Sequence, residues 1–257
     1  MYEWEVRNLL CEIGRRIWQR GCVAANDGNF SYRLSENVVL ATPTLISKGF
    51  MRPEDLVKID MEGNQLEGKL KVTSEIKMHL TIYKERPDFK AVVHAHPPHA
   101  TAYAITGEPL PKCILPEVEI VIGTIPITEY GTPGTKELSE AVQPFARNHS
   151  VLILSNHGVV TADVDIMKAY YKMEMIEQYC RILILAKQVG NCKQLNPEQM
   201  KKLYAIKEKM ELKDSKAPCD TCKACPGLSS VRTSTMPSID KDLIEKITKE
   251  VLNKLGN

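Results

Sequence analysis

Two histidines separated by a single residue, His94 and His96, follow a short run of apolar residues. Such a run is typical of a buried strand, on which alternate side chains share a face, so both imidazoles can bind the same metal ion. A third histidine, His157, follows another apolar run and precedes Gly158, where we expect a strand to turn sharply toward a helix. Three imidazoles with one open position are typical of a catalytic zinc site. The alternative is three unrelated core histidines, but their shared position at strand ends favours a metal.

Besides the three histidines, the carboxylate of Glu75 is a candidate for proton transfer. It follows Thr73 and Ser74, and the hydroxyl of Ser74 can cap a helix that begins here. A carboxylate beside a divalent cation can transfer protons during a reaction. The alternative is an ordinary first-turn carboxylate that is stabilised by the helix dipole.

Hydrophobic periodicity predicts the elements that position these residues. Apolar side chains share one helical face from Val6 to Ile17, and this helix is expected to end near Gly21. Further helices are predicted at about 138–145, 164–189 and 197–212, the last capped by Asn196. Short strands are predicted at 30–33, 38–41 and 56–59, with a return strand after the turn at 63–64. Successive short strands indicate antiparallel pairing, so we expect an α/β fold with a mixed, largely antiparallel central sheet and helices on both sides.

The length and the composition suit one large domain with an appendage. The 257 residues are 43% hydrophobic, which is enough for a substantial core. We expect the main domain to span residues 1–212. Residues 213–237 are rich in Lys, Ser, Thr and Pro and are predicted to be a flexible linker, because they bury little apolar surface. Residues 238–257 are predicted to form an amphipathic helix, because their apolar residues recur on one helical face.

Charge and hydropathy exclude several classes of partner. The chain carries 34 basic and 32 acidic residues and a net charge of +2, so it presents no broad basic field for nucleic acid. No apolar run is long enough to cross a bilayer, and the N-terminal residues are acidic and amphipathic rather than signal-like. These features predict a cytoplasmic protein that binds neither nucleic acid nor membrane.

The eight cysteines fall into two groups. Five are scattered through predicted helices and core segments, as free thiols often are. These five are Cys11, Cys22, Cys113, Cys180 and Cys192. The others, Cys219, Cys222 and Cys225, have metal-binding spacing but offer one ligand too few for a closed zinc or iron–sulfur site. They are interpreted as thiols of a flexible linker, and a metal site completed by a partner is the alternative.

Five short motifs occur in a characteristic order along the chain. They are Gly28-Asn29-Phe30-Ser31, Thr42-Pro43-Thr44, Thr73-Ser74-Glu75, His94-Ala95-His96 and Ser155-Asn156-His157-Gly158. Together they resemble the class II sugar-phosphate aldolases, in the fuculose-phosphate branch, from about residue 3 to about residue 210. The resemblance implies a three-layer fold and zinc-dependent retro-aldol cleavage of a phosphorylated ketose. It indicates L-fuculose 1-phosphate as the substrate, with dihydroxyacetone phosphate and lactaldehyde as the products.

The resemblance also implies roles for individual residues. His94, His96 and His157 are the implied zinc ligands, and Glu75 is the implied acid/base at the enediol carbon. The implied phosphate-binding residues are Gly28, Asn29, Thr44, Thr73 and Ser74. Backbone amides and hydroxyls of this kind suit a small anion, whereas without the resemblance residues 26–29 predict only a turn. Lys48 could add a cation at the same end, although a lysine in an exposed loop is usually only solvated.

The segment at 111–126 departs from the family pattern. Family members can present a tyrosine here, from a neighbouring subunit, to act on the aldehyde oxygen, and this chain has none in the segment. Tyr130, on the following loop, is the candidate catalytic replacement, and packing beneath that loop is its alternative role. His99 is expected to start a helix and to support a ligand rather than to bind the metal.

Other activities of the same fold remain as alternatives. A sugar-phosphate 4-epimerase resembles this chain but has Asp where Glu75 stands, so the glutamate favours an aldolase. The metal ligands alone do not distinguish a ketose-phosphate dehydratase from an aldolase. A non-catalytic interaction module, as in the adducin head domain, is expected to lack the ligands that this chain keeps.

The resemblance further implies partners. The family forms ring-shaped homotetramers with sites near subunit contacts, and we expect the same assembly here. The linker and the amphipathic segment at 238–255 resemble the encapsulation peptides that carry enzymes into bacterial microcompartments by binding shell proteins. The alternatives are a helix that folds back on the tetramer and one that lies on a membrane, for which the balanced Lys/Glu polar face gives little support.

Overall fold

The computed structural model describes residues 1–209. Its α-helices are α1 (Glu3–Gln19), α2 (Ile76–Glu85), α3 (Pro98–Thr106), α4 (Pro116–Val121), α5 (Lys136–Ala146), α6 (Ile166–Val189) and α7 (Pro197–Lys209). Its strands are β1 (Asn29–Arg33), β2 (Val39–Ala41), β3 (Val57–Ile59), β4 (Gln65–Glu67), β5 (Ala91–Ala95), β6 (Val151–Leu154) and β7 (Gly158–Asp163). The predicted linker at 213–237, the predicted helix at 238–257 and the three clustered cysteines lie outside the described residues.

The seven strands form one sheet in the order β4-β3-β2-β1-β5-β7-β6. All pairings between these strands are antiparallel, and one isolated parallel bridge joins Ile127 to Ile153. The strands predicted at 30–33, 38–41 and 56–59 correspond to β1, β2 and β3, and the predicted return strand is β4. The prediction of a mixed, largely antiparallel sheet is confirmed.

Helices cover both faces of the sheet, and successive strand residues alternate between two hydrophobic cores. Val93 on β5 packs into a core that includes residues of α1, α3, α4 and α6. Its neighbour Val92 packs into the core on the opposite face, with residues of α2 and α5. This alternation follows from the period of two along a strand. The predicted arrangement with helices on both sides is confirmed.

Two of the predicted helix starts differ in outcome. At the start of α7, the Asn196 backbone N–H donates to Gln199 Oε1 (2.8 Å) and the Gln199 N–H donates to Asn196 Oδ1 (2.9 Å), so the predicted cap is confirmed. The prediction that Ser74 caps α2 is wrong. Glu75 holds the N-cap position, and Ser74 lies one residue earlier with its side chain exposed.

The turn after β6 also differs from the prediction. His157 lies between β6 and β7, so the chain turns from strand to strand in a hairpin rather than toward a helix. A Cβ atom on Gly158 would lie 2.6 Å from the Ala95 carbonyl oxygen and 2.6 Å from His96 Cδ2. The close approach of β7 to the end of β5 therefore requires this glycine.

Two predictions from composition can be compared with the described residues. Cys11, Cys22, Cys113, Cys180 and Cys192 are free thiols, as predicted. Among residues 1–209, no helix is both long enough and apolar enough to span a membrane.

Candidate metal centre

Three imidazole rings meet at one end of the central strands. His94 lies on β5, His96 follows directly after it, and His157 lies in the turn between β6 and β7. The rings converge because β5 pairs with β7 and β7 pairs with β6. One ring nitrogen of each histidine lies within 4.8 Å of the other two. The sequence-predicted ligands are thus brought together in space.

The geometry of His94 and His96 suits a shared ion. His94 Nδ1 lies 2.9 Å from the carbonyl oxygen of Val159, so Nδ1 carries the hydrogen and Nε2 carries the lone pair. His94 Nε2 lies 3.1 Å from His96 Nε2. Two nitrogens bound tetrahedrally to one zinc ion at about 2.0–2.1 Å lie about 3.3 Å apart. The observed spacing therefore fits two ligands of one ion.

Burial keeps two of the imidazoles neutral. Burial lowers the pKa of His94 to about 3, with a smaller contribution from His96 beside it. Burial also lowers the pKa of His157 to about 4, and the proximity of His94 acts in the same direction. Because a metal ligand has to be unprotonated, both side chains are ready to bind at neutral pH.

Glu75 lies against this cluster, at the N-cap of α2. Its Oε2 atom is 3.2 Å from His94 Nε2, and its Oε1 atom is 3.7 Å from His157 Nε2. Within the described residues, Glu75 Oε2 and His157 Nδ1 are buried without a hydrogen-bond partner. Buried polar atoms without partners are costly, and a cation among them would compensate the carboxylate. The donor set of three imidazoles and one nearby carboxylate therefore fits a divalent metal such as zinc.

Asp27 is a residue of the site that the sequence interpretation missed. Its Oδ2 atom lies 3.4 Å from His96 Nδ1, on the side of the ring away from the other histidines. A carboxylate behind a histidine ligand favours the tautomer whose Nε2 faces the metal. The only signal in the sequence was a turn at 26–29, which gives no indication of a contact with His96.

Two of the predicted phosphate-binding residues lie directly beside the metal centre. Asn29 on β1 is paired with His94 on β5, and paired residues present their side chains on the same face. Gly28 has a φ of 73°, and a Cβ atom there would lie 2.6 Å from Val23 Cγ1 and 3.0 Å from the His94 carbonyl oxygen. Only glycine fits so close to β5 in this conformation.

The remaining predicted phosphate-binding residues lie on two neighbouring segments. The Thr44 N–H donates to the carbonyl oxygen of Lys71 (2.9 Å), and the Thr73 N–H donates to that of Thr42 (3.1 Å). These bonds hold the loop after β2 against the residues that lead into α2. Ser74 follows Thr73 with an exposed side chain that is free of the capping role once predicted for it.

Lys48 is buried, contrary to the expectation of a solvated loop lysine. Its ammonium group donates to the carbonyl oxygens of Asn26 (2.9 Å) and Ile46 (2.6 Å). Burial lowers its pKa to about 8, although the charges of Asp27 and Glu75 act in the opposite direction. Lys48 therefore joins the loop that precedes Gly28 to the loop that follows Thr44.

The sequence matches the family described as the class II aldolase and adducin N-terminal domain over residues 8–184. The chain belongs to this family. An L-fuculose phosphate aldolase of Methanococcus maripaludis is 37% identical over 171 residues, which cover 66% of this chain and 92% of the relative. A 3-oxo-tetronate 4-phosphate decarboxylase of Haemophilus influenzae is 33% identical over 180 residues, which cover 68% of this chain and 85% of the relative.

Solved structures agree with this assignment. An L-fuculose 1-phosphate aldolase superposes with a TM-score of 0.73 at 30% identity, covering 80% of this chain and 96% of that one. Class II aldolases are metal-dependent, in keeping with the histidine cluster of this chain. The fold and the family predicted from the five motifs are confirmed.

Two further residues singled out in the sequence of this class II aldolase family member are Tyr130 and His99. Tyr130 is 57% exposed, and the adjacent Gly131 lies close to the backbone of Leu138 at the start of α5. His99 lies in the first turn of α3, which begins at Pro98. Its Nδ1 lies 2.6 Å from Glu177 of α6, so it contributes to the contact between those helices.

The tight contact at Gly158 leads to a first testable expectation. Replacing Gly158 with alanine will displace the His96 ring, because the new Cβ would lie 2.6 Å from its Cδ2 atom. We expect zinc affinity to fall by about 10–100-fold, as when the support of a metal ligand is removed. The zinc affinity is measured by competition with a chromogenic chelator.

Gly190→Ala is the matched control, because a Cβ atom at Gly190 would meet nothing within 4 Å and its φ of 165° is an extended value. Equal zinc affinity of the two variants would contradict the expectation.

Proposed function

We propose that this protein is a zinc-dependent lyase that cleaves L-fuculose 1-phosphate, or a closely related phosphorylated ketose, to dihydroxyacetone phosphate and an aldehyde. The convergence of His94, His96, His157 and Glu75 in a class II aldolase family member is the observation that carries this proposal. The relatives named L-fuculose phosphate aldolase support the choice of substrate.

The proposed reaction breaks the bond between the carbon next to the ketone and the following carbon, which carries a hydroxyl. The electron pair of that bond passes into an enediolate, and the leaving half becomes an aldehyde once its hydroxyl loses a proton. The neutral imidazoles of His94, His96 and His157 would hold a zinc ion with its full positive charge, which would stabilise the developing negative charge. Glu75 donates a proton to the enediolate carbon to complete dihydroxyacetone phosphate, and it removes that proton in the reverse direction.

Substrate binding is proposed to depend on the polar groups around the centre. Gly28, Asn29, Thr44, Thr73 and Ser74 are proposed to bind the phosphate through backbone amides, hydroxyls and the Asn29 amide. Buried Lys48 supports two of the loops concerned and adds a positive charge behind them. Tyr130 is proposed as the acid/base for the aldehyde oxygen, and its exposure leaves the hydroxyl available.

A decarboxylase is the second candidate, and two observations favour it. A relative named 3-oxo-tetronate 4-phosphate decarboxylase is 33% identical to this chain over 180 residues, and the segment at 111–126 has no tyrosine. Loss of CO₂ from a 2-hydroxy-3-oxo acid, such as a 3-oxo-tetronate, also leaves an enediolate that needs a proton at carbon. Decarboxylation forms no aldehyde, so it needs no acid/base for an aldehyde oxygen. The other residues of the site are therefore sufficient without a tyrosine in the segment at 111–126.

The other activities of the fold are less well supported. Glu75 stands where the 4-epimerases have Asp, and the complete ligand set argues against a non-catalytic adducin-like module. A ketose-phosphate dehydratase shares these ligands, but it would consume a ketose phosphate without forming an aldehyde, dihydroxyacetone phosphate or CO₂.

Turnover of defined substrates tests the proposal. The zinc-loaded protein is given L-fuculose 1-phosphate, other ketose 1-phosphates and 3-oxo-tetronate 4-phosphate, and aldehyde, dihydroxyacetone phosphate and CO₂ are quantified. We expect lactaldehyde from L-fuculose 1-phosphate, and Tyr130→Phe should lower kcat for this reaction without affecting CO₂ release. CO₂ release without aldehyde formation from any ketose phosphate would replace the aldolase with the decarboxylase.

We propose a cytoplasmic homotetramer in which residues 1–212 form the catalytic domain. Family resemblance supports this assembly. Sites near subunit contacts would allow a neighbouring chain to contribute a side chain that acts on the aldehyde oxygen. Light scattering measures it: a fully active species of 28.9 kDa would be a monomer and would contradict the proposal.

The C-terminal residues are proposed to address the enzyme to a bacterial microcompartment. The apolar stripe of residues 238–255 would bind shell proteins, and residues 213–237 would act as a tether. A fluorescent protein fused to residues 213–257 should form puncta in cells that assemble the matching shell. Replacing Ile247 and Val251 with Asp should disperse them, because both belong to the apolar stripe.

Lys249→Asp, on the polar side of the same segment, is the control and should keep the puncta. Diffuse fluorescence of the unmutated fusion would contradict the addressing role.

A further inference from the structure

A chain of hydrogen bonds runs through buried side chains behind Asn29. His79 Nε2 lies 2.6 Å from Asn29 Oδ1, and His79 Nδ1 lies 2.7 Å from Ser31 Oγ. Ser31 Oγ lies 2.8 Å from the hydroxyl of Tyr83, which is 3.3 Å from the carbonyl oxygen of Lys90. Asn29 and Ser31 are alternate residues of β1, and His79 and Tyr83 are one turn apart on α2, so each pair shares a face.

Only two directions of hydrogen bonding satisfy this buried chain. Burial lowers the pKa of His79 to about 3, so its imidazole is neutral and has one donor and one acceptor nitrogen. In the first direction, the single Tyr83 proton goes to Ser31 (2.8 Å) rather than to the more distant Lys90 carbonyl oxygen (3.3 Å), which accepts from the Arg33 N–H. Ser31 then donates to His79 Nδ1, and His79 Nε2–H donates to Asn29 Oδ1. In the second, the Asn29 amide is turned over so that its N–H donates to His79 Nε2. His79 Nδ1–H then donates to Ser31, Ser31 donates to Tyr83, and Tyr83 donates to the Lys90 carbonyl oxygen.

The direction decides what Asn29 presents to the site. Asn29 is 3% exposed and faces the same side of the sheet as His94. In the first direction its oxygen is occupied, so both amide N–H groups remain for a ligand. The Asn29 amide nitrogen makes no hydrogen bond within residues 1–209. In the second direction an acceptor oxygen would remain instead. A phosphate group offers only acceptors at neutral pH, so it fits the first direction alone.

We propose that His79 is a positioning residue for substrate phosphate. Its Nε2–H holds the Asn29 amide with both N–H groups toward the ligand, and the Ser31 hydroxyl, which can donate to His79 Nδ1, accommodates the tautomer that does so. This role rests on the proposed function in one respect, since it takes the ligand at Asn29 to be a phosphate.

Binding of dihydroxyacetone phosphate to the zinc-loaded protein tests the role by calorimetry. His79→Leu, which cannot donate, should weaken binding by about tenfold or more, because a hydrogen bond to a charged group is lost. His79→Gln should weaken it by less than about threefold, since its amide can donate to Asn29 Oδ1 from a similar position. Binding of unphosphorylated dihydroxyacetone and the zinc content should be the same in all three proteins.

A double-mutant cycle separates positioning from general damage to the fold. If His79 acts through Asn29, then His79→Leu should change phosphate-ligand affinity by less than about twofold in the Asn29→Ala background. An undiminished tenfold effect in that background would overturn the proposal.

The tautomer can be measured without any ligand. Nitrogen-15 NMR of the zinc-loaded wild-type protein should show His79 protonated at Nε2, and protonation at Nδ1 would overturn the proposal even if L-fuculose 1-phosphate is cleaved. Conversely, a protein that shows the Nε2–H tautomer and binds dihydroxyacetone phosphate but cleaves no ketose phosphate would overturn the proposed function alone. A protein that binds neither dihydroxyacetone phosphate nor inorganic phosphate would overturn the positioning role.

Discussion

Replacing Glu75 with glutamine is expected to leave zinc bound while lowering kcat by about 10²–10⁴-fold, the usual contribution of a general acid/base. Glutamine keeps the shape of the side chain at the N-cap of α2 but cannot exchange a proton with the substrate carbon. The three histidines remain to hold the ion. Turnover of L-fuculose 1-phosphate and zinc content are measured on the same preparation.

Glu85→Gln, at the other end of α2, is the matched control and should leave both quantities unchanged. The Glu85 side chain is half-buried and accepts a solvent-exposed hydrogen bond from Gln143, away from the metal centre. If Glu75→Gln kept the wild-type kcat, a group other than Glu75 would have to transfer the proton. If this variant lost its zinc, Glu75 would be a necessary metal ligand.

Removing the metal is expected to have an even larger effect. Chelation should lower the rate of cleavage by more than about 10³-fold, because a Lewis acid contributes several kcal/mol to transition-state stabilisation, and added zinc should restore it. His94→Ala should produce the same loss without recovery, since it removes the fully buried ligand whose far nitrogen is bonded to Val159.

His149→Ala controls for the loss of a buried histidine as such. His149 is 8% exposed, and its Nδ1 lies 3.1 Å from the carbonyl oxygen of Thr124, outside the cluster of ligands. This variant should keep zinc and activity. Full activity of the chelated wild-type protein, with zinc shown to be absent, would refute the metal-dependent reaction.

The sequence was sufficient to predict which histidines converge, because the signal depends on residue type and local spacing. His94 and His96 are two residues apart on an apolar strand, and the capping box at Asn196 is equally local. The strands β1 to β4 were predictable for the same reason, since short apolar runs and turn residues lie next to one another in the chain.

Contacts between distant parts of the chain were not predictable in this way. Asp27 reaches His96, and Lys48 is buried against the Asn26 carbonyl oxygen, although both have types that are usually solvated. The hairpin at Gly158 was mistaken for a turn into a helix, because glycine marks both a helix boundary and a close approach of strands. His79 and Asn29 are 50 residues apart, and only the packing of α2 on β1 brings them together.

The hairpin turn that carries His157 has a kinetic consequence. His94 lies on an interior strand with partners on both sides, so freeing it requires the sheet to open. His157 lies on a short turn, whose backbone is held by bonds from the His157 N–H to Leu154 and from the Asn156 N–H to Ala104. Turns open locally at a much lower free energy than central strands. We therefore expect the ion to enter and leave by way of His157, with a residence time set by fraying of this hairpin rather than by global unfolding.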